Sequence, residues 1–163
     1  MSWPTKKLRD LADISRGSSP RPIHDTKYFD GGDIPWVKIA DATKSGKFLF
    51  STNQHVNEYG ASFSKKLPAG TILVAASGTL GYTQILGVEA CAHDGWLILQ
   101  NLRDLDRDFA YYALKTLEAH FFNSAYGAAI QNINTEILRE STSPTLPFLS
   151  RLGLDKFSRP TMS

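Results

Sequence analysis

"TILVAASGTLGYTQILG" occupies residues 71–87, and its reading decides the fold. Thr71-Ile72-Leu73-Val74 is a run of β-branched and apolar residues, the composition of a buried strand. Glycines at 78, 81 and 87 then pace a polar turn and the apolar residues that follow it. Working outward, strands are predicted over 71–77, about 82–86 and 95–100 ("GWLILQ"), separated by turns that contain glycine. From Asp104 to about Phe122 the period changes, with Phe109, Tyr112, Ala113, Leu117 and Phe121 recurring at helical spacing. Asp104, Asp106 and Asp108 crowd the start of that helix, where carboxylates favour the N-terminus. A shorter helix is expected from about Asn134 to Glu140. A further strand is predicted from about Trp36 to Ala40, with Pro35 at its first position. Residues 44–66 read as long connections with a short helical turn, and "RGSSPRP" (16–22) as an irregular loop. The fold class is α+β: a twisted, mainly antiparallel β-body with the long helix packed on it and a second, C-terminal helix. Trp36, Trp96 and the stripe Phe109, Tyr112, Phe121 are expected in the core.

The 163 residues suit one domain, and a 42% hydrophobic content with three Trp, six Tyr and nine Phe supports a proper core. A net charge of +2 does not announce a nucleic-acid binder. Between Lys38 and Lys66, however, five lysines stand against Asp41 and Glu58, which marks either a solvated face or an electrostatic footprint. The single cysteine, Cys91, and an N-terminus without the apolar stretch of a signal peptide point to a cytoplasmic protein. Its apolar stretches fall short of the roughly 20 residues that span a bilayer, so no membrane association is expected.

The motifs that would carry chemistry are missing. The glycines of 78–87 fit neither GxxxxGK[ST] nor GxGxxG, which argues against a phosphate cradle. Ser77, Cys91, His93 and Asp94 are near one another in sequence, but a lone cysteine is most often a small core residue. The four histidines are scattered, without CxxC or HExxH, so no metal site is expected. "DTK" (25–27) lacks the upstream aspartate of a nuclease motif, and no Asn-Pro-Pro-aromatic or Asp-Pro-Pro-aromatic tetrapeptide of an amino-methyltransferase occurs. No catalytic residue is assigned.

The polar residues that remain suit nucleic acid. Ser18, Ser19 and Arg21; Lys38, Thr43, Lys44, Ser45 and Lys47; Ser77, Thr79, Tyr82, Thr83 and Gln84; and Gln131, Asn132 and Asn134 are the candidate DNA-binding residues. Gln84 and Asn132 are of the types that pair bidentately with adenine, whereas Arg21 or a lysine suits guanine.

Five segments stand in a telling order: "KLRDLADISRGSSPRP" (7–22), "GGDIPWVKIAD" (31–41), "LPAGTILVAASGTLGYTQIL" (67–86), "FAYYAL" (109–114) and "GAAIQNINTEIL" (127–138). Together they resemble one target-recognition domain of a type I restriction-modification specificity subunit. The resemblance implies a protein that is not an enzyme and reads one half of a split, double-stranded DNA site from the major groove. It implies partners as well: methyltransferase subunits that methylate adenine, and translocating restriction (nuclease) subunits. S-adenosylmethionine, ATP and magnesium would belong to those partners, with no cofactor in this chain. Self-association is a further expectation.

After Arg139-Glu140 the resemblance stops, and residues 1–140 are taken as the recognition domain. The family would continue with a short proline-containing strand, a Glu-Gln pair and a long coiled-coil helix that sets half-site spacing. "STSPTLPFLSRLGLDKFSRPTMS" (141–163) has Pro144, Pro147 and Pro160, no Glu-Gln and no heptads, so it is expected to be a poorly ordered, divergent tail. A specificity subunit truncated or frame-shifted after one domain would give this pattern. A remnant that engages methyltransferase subunits without binding DNA is the alternative.

Overall fold

Ile72 and Val74 face one way from their strand, Leu73 and Ala75 the other, and all four are buried. Layers on both sides of the sheet explain why the sequence shows an unbroken apolar run here and not a polar alternation. The structure, a computed structural model, describes residues 5–127 and 132–144. In chain order the elements are β1 (Thr5–Lys7), α1 (Leu8–Leu11), β2 (Asp13–Arg16), β3 (Ile34–Val37), α2 (Ile39–Ala42), β4 (Phe48–Leu49) and β5 (Gln54–Val56). They continue with α3 (Glu58–Ala61), β6 (Lys65–Leu67), β7 (Ile72–Ala75), β8 (Thr83–Leu86), β9 (Ala90–Ala92) and β10 (Trp96–Gln100). The long helix α4 (Arg107–Gly127), α5 (Thr135–Glu140) and β11 (Thr142–Pro144) complete the described chain.

A five-stranded sheet runs β2-β10-β7-β8-β4, a four-stranded sheet runs β5-β3-β9-β6, and β1 pairs with β11. Only the β3–β9 and β4–β8 pairs are parallel. The α+β, mainly antiparallel reading therefore holds. One face of the large sheet packs Ile14, Val74, Leu97 and Leu99 against Leu8, Leu11, Tyr111, Leu114 and Leu138 of the helices. Its other face packs Leu73, Trp96 and Ile98 against Val37, Leu67 and Ala92 of the small sheet. Beyond the small sheet, Trp36 and Cys91 meet Ile34, Val56 and Ala61. Trp36 and Trp96 are 1% and 0% exposed, as core anchors should be.

Several expectations are corrected. The strand placed over 36–40 ends at Val37, and the chain turns at once into α2 because the Asp41 carboxylate accepts the Lys38 amide at 2.9 Å. Pro35 is the second residue of β3, not the first. The segment 44–66, read as long connections with a short helical turn, holds that turn as α3, but it also holds β4, β5 and the start of β6, and β9 went unpredicted, each of these strands being three residues or fewer. The long helix starts at Arg107 rather than Asp104, where the Asp106 carboxylate accepts the Phe109 amide at 3.0 Å. Its phase also differs. Ala110, Tyr111 and Leu114 are buried, with Phe109 and Leu117 on the flanks, whereas Tyr112 is 55% exposed and is no core residue. "FAYYAL" is apolar nearly all round, so period alone does not settle which face is inward. The side chain of Phe121 lies outside the described residues.

The described structure continues past the boundary drawn at Glu140. Thr142–Pro144 forms a short strand that ends in proline, paired antiparallel with Thr5–Lys7. Glu140 ties this corner together, pairing with the Lys7 ammonium and, at 2.5 Å, with Arg9. Residues 145–163 lie outside those described.

The phase of α4 makes a direct prediction. Leu114→Ala should lower unfolding free energy by about 2–5 kcal/mol, the range for a leucine truncated in a packed core. Tyr112→Ala should change it by about 1 kcal/mol or less. Urea denaturation of both variants measures this, and the reverse ranking would contradict the assignment.

Candidate nucleic-acid interface

The strand registers gather the candidate residues at one end of the β-body. Leu97 faces Arg16 and Trp96 faces Ala75, so β2 and β7 finish where β10 begins. Thr83 opens β8 opposite Val74, and Phe48 opens β4 beside Ile85. Val37 ends β3 beside Ala92 at the end of β9. The loops 17–22, 43–47, 76–82 and 93–95 thus leave from one rim. Segment 132–134 joins them, because the Ile133 amide donates to the Ala76 carbonyl at 2.8 Å.

The glycine-paced turn now has an explanation. Gly78 and Gly81 have φ of +67° and +79°, the left-handed region that side chains disfavour. Two such positions let the chain reverse between β7 and β8 while the Gly81 amide donates to Ala75 and the Ala75 amide to Tyr82. The close backbone partner of the turn is the protein's own chain, through Gly95 and Ile133. Its tip, Gly78-Thr79, is exposed, with open space around Gly78.

Beside it stands the β9–β10 turn, His93-Asp94-Gly95, which sequence reasoning weighed only for catalysis. Asp94 is a hub. Its Oδ2 accepts from the Arg21 guanidinium at 2.5 Å, and its Oδ1 accepts from the Ser19 hydroxyl at 3.2 Å. Oδ1 also lies 3.1 Å from His93 Nε2, while the Ser19 hydroxyl accepts the Asp94 amide at 3.1 Å. Burial works against the Asp94 carboxylate, but the His93, Ser19 and Arg21 contacts outweigh it and hold its pKa below the ordinary value. His93 Nδ1 accepts the Gly95 amide at 2.9 Å, so the proton of the neutral ring belongs on Nε2 toward Asp94. Burial pushes the His93 pKa down, with Lys38 and Arg21 adding to it against the pull of Asp94. Lys38 Nζ lies 5.0 Å from the Trp36 ring centroid, and that ring is 5.4 Å from the His93 ring. Arg21, Ser19, Lys38 and Ser77 are therefore neighbours of one turn, Ser77 through its approach to Gly95.

On the other flank the candidates serve the scaffold. Gln84 is fully buried, and its amide donates to the carbonyls of Gly46 and Lys47 at 2.9 and 2.8 Å. Thr83, 1% exposed, donates to Gly81. Both side chains point into the body and not out from the rim. The Tyr82 hydroxyl donates to Ala42, the Ser45 hydroxyl to Asp41 and the Thr43 hydroxyl to Ala40. Lys47 is largely buried, 3.1 Å from Asp108 and 4.6 Å from the Tyr112 ring centroid. Asn134 caps α5, its side chain accepting the Ile137 amide at 2.8 Å. Lys44, Thr79, Asn132 and Arg21 are exposed, and Ser18 and Ser77 half-buried. Gln131 lies outside the described residues.

Three residues were missed. Asp94 and Asp41 work through backbone and side-chain partners far off in sequence, Asp41 holding the amides of Lys38 and Asn53 together. Lys115 lies 5.3 Å from the Tyr82 and Tyr111 ring centroids, adding an exposed cation to the rim. Cys91 is buried, and that burial raises its thiol pKa above the ordinary value. Asp25 of "DTK" accepts the Lys27 amide and caps a 3-10 turn.

A family model described as the type I restriction modification DNA specificity domain matches residues 1–147. The chain belongs to that family. Similar proteins include two named as specificity subunits of type I restriction enzymes. The chain is 24% identical over 150 residues to the MjaIX specificity subunit of Methanocaldococcus jannaschii, covering 87% of this chain and 34% of the relative. It is 29% identical over 140 residues to the HindI specificity subunit of Haemophilus influenzae, covering 82% and 29%. The fold matches the crystal structure of the HsdS subunit from Thermoanaerobacter tengcongensis with a TM-score of 0.72 at 20% identity, covering 96% of this chain and 36% of that one. The specificity domain thus spans about a third of the length of the relatives it matches.

The depressed histidine has a measurable consequence. His93 should titrate by NMR below the ordinary value of 6.5. Because its folded pKa lies below that of the unfolded chain, its contribution to stability is present above pH 6.5 and is lost as pH falls toward the folded value. A His93 titration at or above 6.5 would contradict the burial argument.

Proposed function

We propose that this chain is the sequence-reading module of a type I specificity subunit, and that it reads one half of a bipartite site in double-stranded DNA from the major groove. The observation that carries the reading is the convergence of five loops on one rim of a rigid β-body, with Arg21, Lys44, Thr79 and Asn132 exposed there. Loops set on a fixed scaffold are how recognition surfaces vary without disturbing the core. Arg21 and Asn132 bring the donor and acceptor pattern that base edges match, and Lys38, Lys44 and Lys115 suit phosphates. Specificity subunits are not themselves catalytic. In this reading adenine methylation, with S-adenosylmethionine, belongs to methyltransferase subunits, and ATP- and magnesium-dependent cleavage to restriction subunits.

A net charge of +2 on 163 residues predicts modest, salt-sensitive affinity for the isolated chain. With about three phosphates neutralised, affinity should drop roughly 40-fold between 50 and 200 mM salt. Selection from a random duplex pool at low salt, followed by sequencing, should enrich a short motif. A folded chain that enriches nothing, or whose binding ignores salt, would overturn the proposal and favour a remnant that engages methyltransferase subunits alone.

A further inference from the structure

Arg21 is held at both ends. Its carbonyl accepts the Tyr28 hydroxyl at 2.8 Å, and its guanidinium rests on Asp94 Oδ2 at 2.5 Å while the side chain stays 65% exposed. Among the described residues no other hydrogen bond occupies the guanidinium fork. The Asp94 oxygens, in contrast, are taken by Arg21, Ser19 and His93.

This arrangement distinguishes two kinds of DNA contact. A phosphate brought to Arg21 would approach the Asp94 carboxylate as well, and like charges at that range repel. A neutral pair of acceptors meets no such penalty and finds a fork whose rotamer is already fixed. In the major groove only guanine offers two acceptors side by side, O6 and N7. We infer that Arg21 reads a guanine and that Asp94 is its positioning residue, setting specificity without touching DNA. The inference rests on the DNA-reading function proposed above.

Both Asp94 oxygens already hold partners, Oδ1 those of Ser19 and His93 and Oδ2 the Arg21 guanidinium, so the carboxylate faces the loop that carries Arg21. Gly17 keeps the geometry tight, since a Cβ there would lie 2.1 Å from the His93 carbonyl oxygen. The loop that carries Arg21 is thereby pressed against the turn that carries Asp94.

The test compares the full wild-type chain with Arg21→Ala, Arg21→Met and Asp94→Asn in selection from the random duplex pool, and measures each protein's salt slope on the enriched site. The wild type should show one position with a G·C preference of roughly 5- to 150-fold, the range for a good bidentate pair. Both Arg21 variants should flatten that position alone and leave the salt slope unchanged. Asp94→Asn should weaken the same position and no other. Uniform weakening with a slope smaller by about one would make Arg21 a phosphate contact and overturn the inference. A wild-type motif without a G·C position, or one indifferent to Arg21, would also overturn it while leaving the DNA-reading function standing. An Asp94→Asn motif identical to wild type would remove the positioning role. A wild-type chain that enriches no motif overturns both readings.

Discussion

The carbonyl of Val37 accepts two hydrogen bonds, one from the His93 amide and one from the Trp96 indole, each at 3.1 Å. The indole nitrogen is buried, so losing its acceptor would leave a stranded donor at a cost of about 1–3 kcal/mol. More important is what the pair joins. Val37 ends a strand of the small sheet, and Trp96 begins a strand of the large one, with His93-Asp94-Gly95 strung between them. The turn that carries Asp94 is therefore pinned by the same contact that holds the two sheets in register.

From that point the rim is built by borrowing. Arg16 donates to the Asp94 carbonyl at 2.8 Å, and Ser19 and Arg21 use its side chain. Ser64 donates to Ser18 at 2.7 Å, fixing the far side of the 17–22 loop. Gln84 and Asp41 do the same for residues 38–53, each buried side chain collecting two backbone groups of that segment. The result is a rigid frame with a few exposed side chains at its tips, the arrangement a recognition surface needs, since a base-reading side chain must be held close to its productive geometry.

How much of this was legible depends on the distance over which each residue acts. The runs Ile72–Ala75 and Trp96–Gln100 announce themselves because both faces of the large sheet are covered. Asn134 signals its helix because a cap acts within three residues. Gln84 misleads for the opposite reason: in "YTQIL" it reads as a solvent-facing polar residue, and the carbonyls that bury it come from 37 and 38 residues away. Asp94 meets Arg21 and Ser19 across 73 and 75 residues, and Thr142–Pro144 becomes a strand only because Thr5–Lys7 is there to pair with it. The order of family-like segments carried the family reading, and the geometry of the rim had to come from the fold.

The central claim is that DNA meets the rim defined by the β9–β10 turn and not the opposite end of the β-body. Amide hydrogen exchange of the full chain, with and without a saturating duplex pool at low salt, tests it most directly. Protection should concentrate in 17–22, 43–47, 76–82 and 93–95. Protection centred on 68–71 and 100–103, which lie at the other end of the large sheet, would contradict the account.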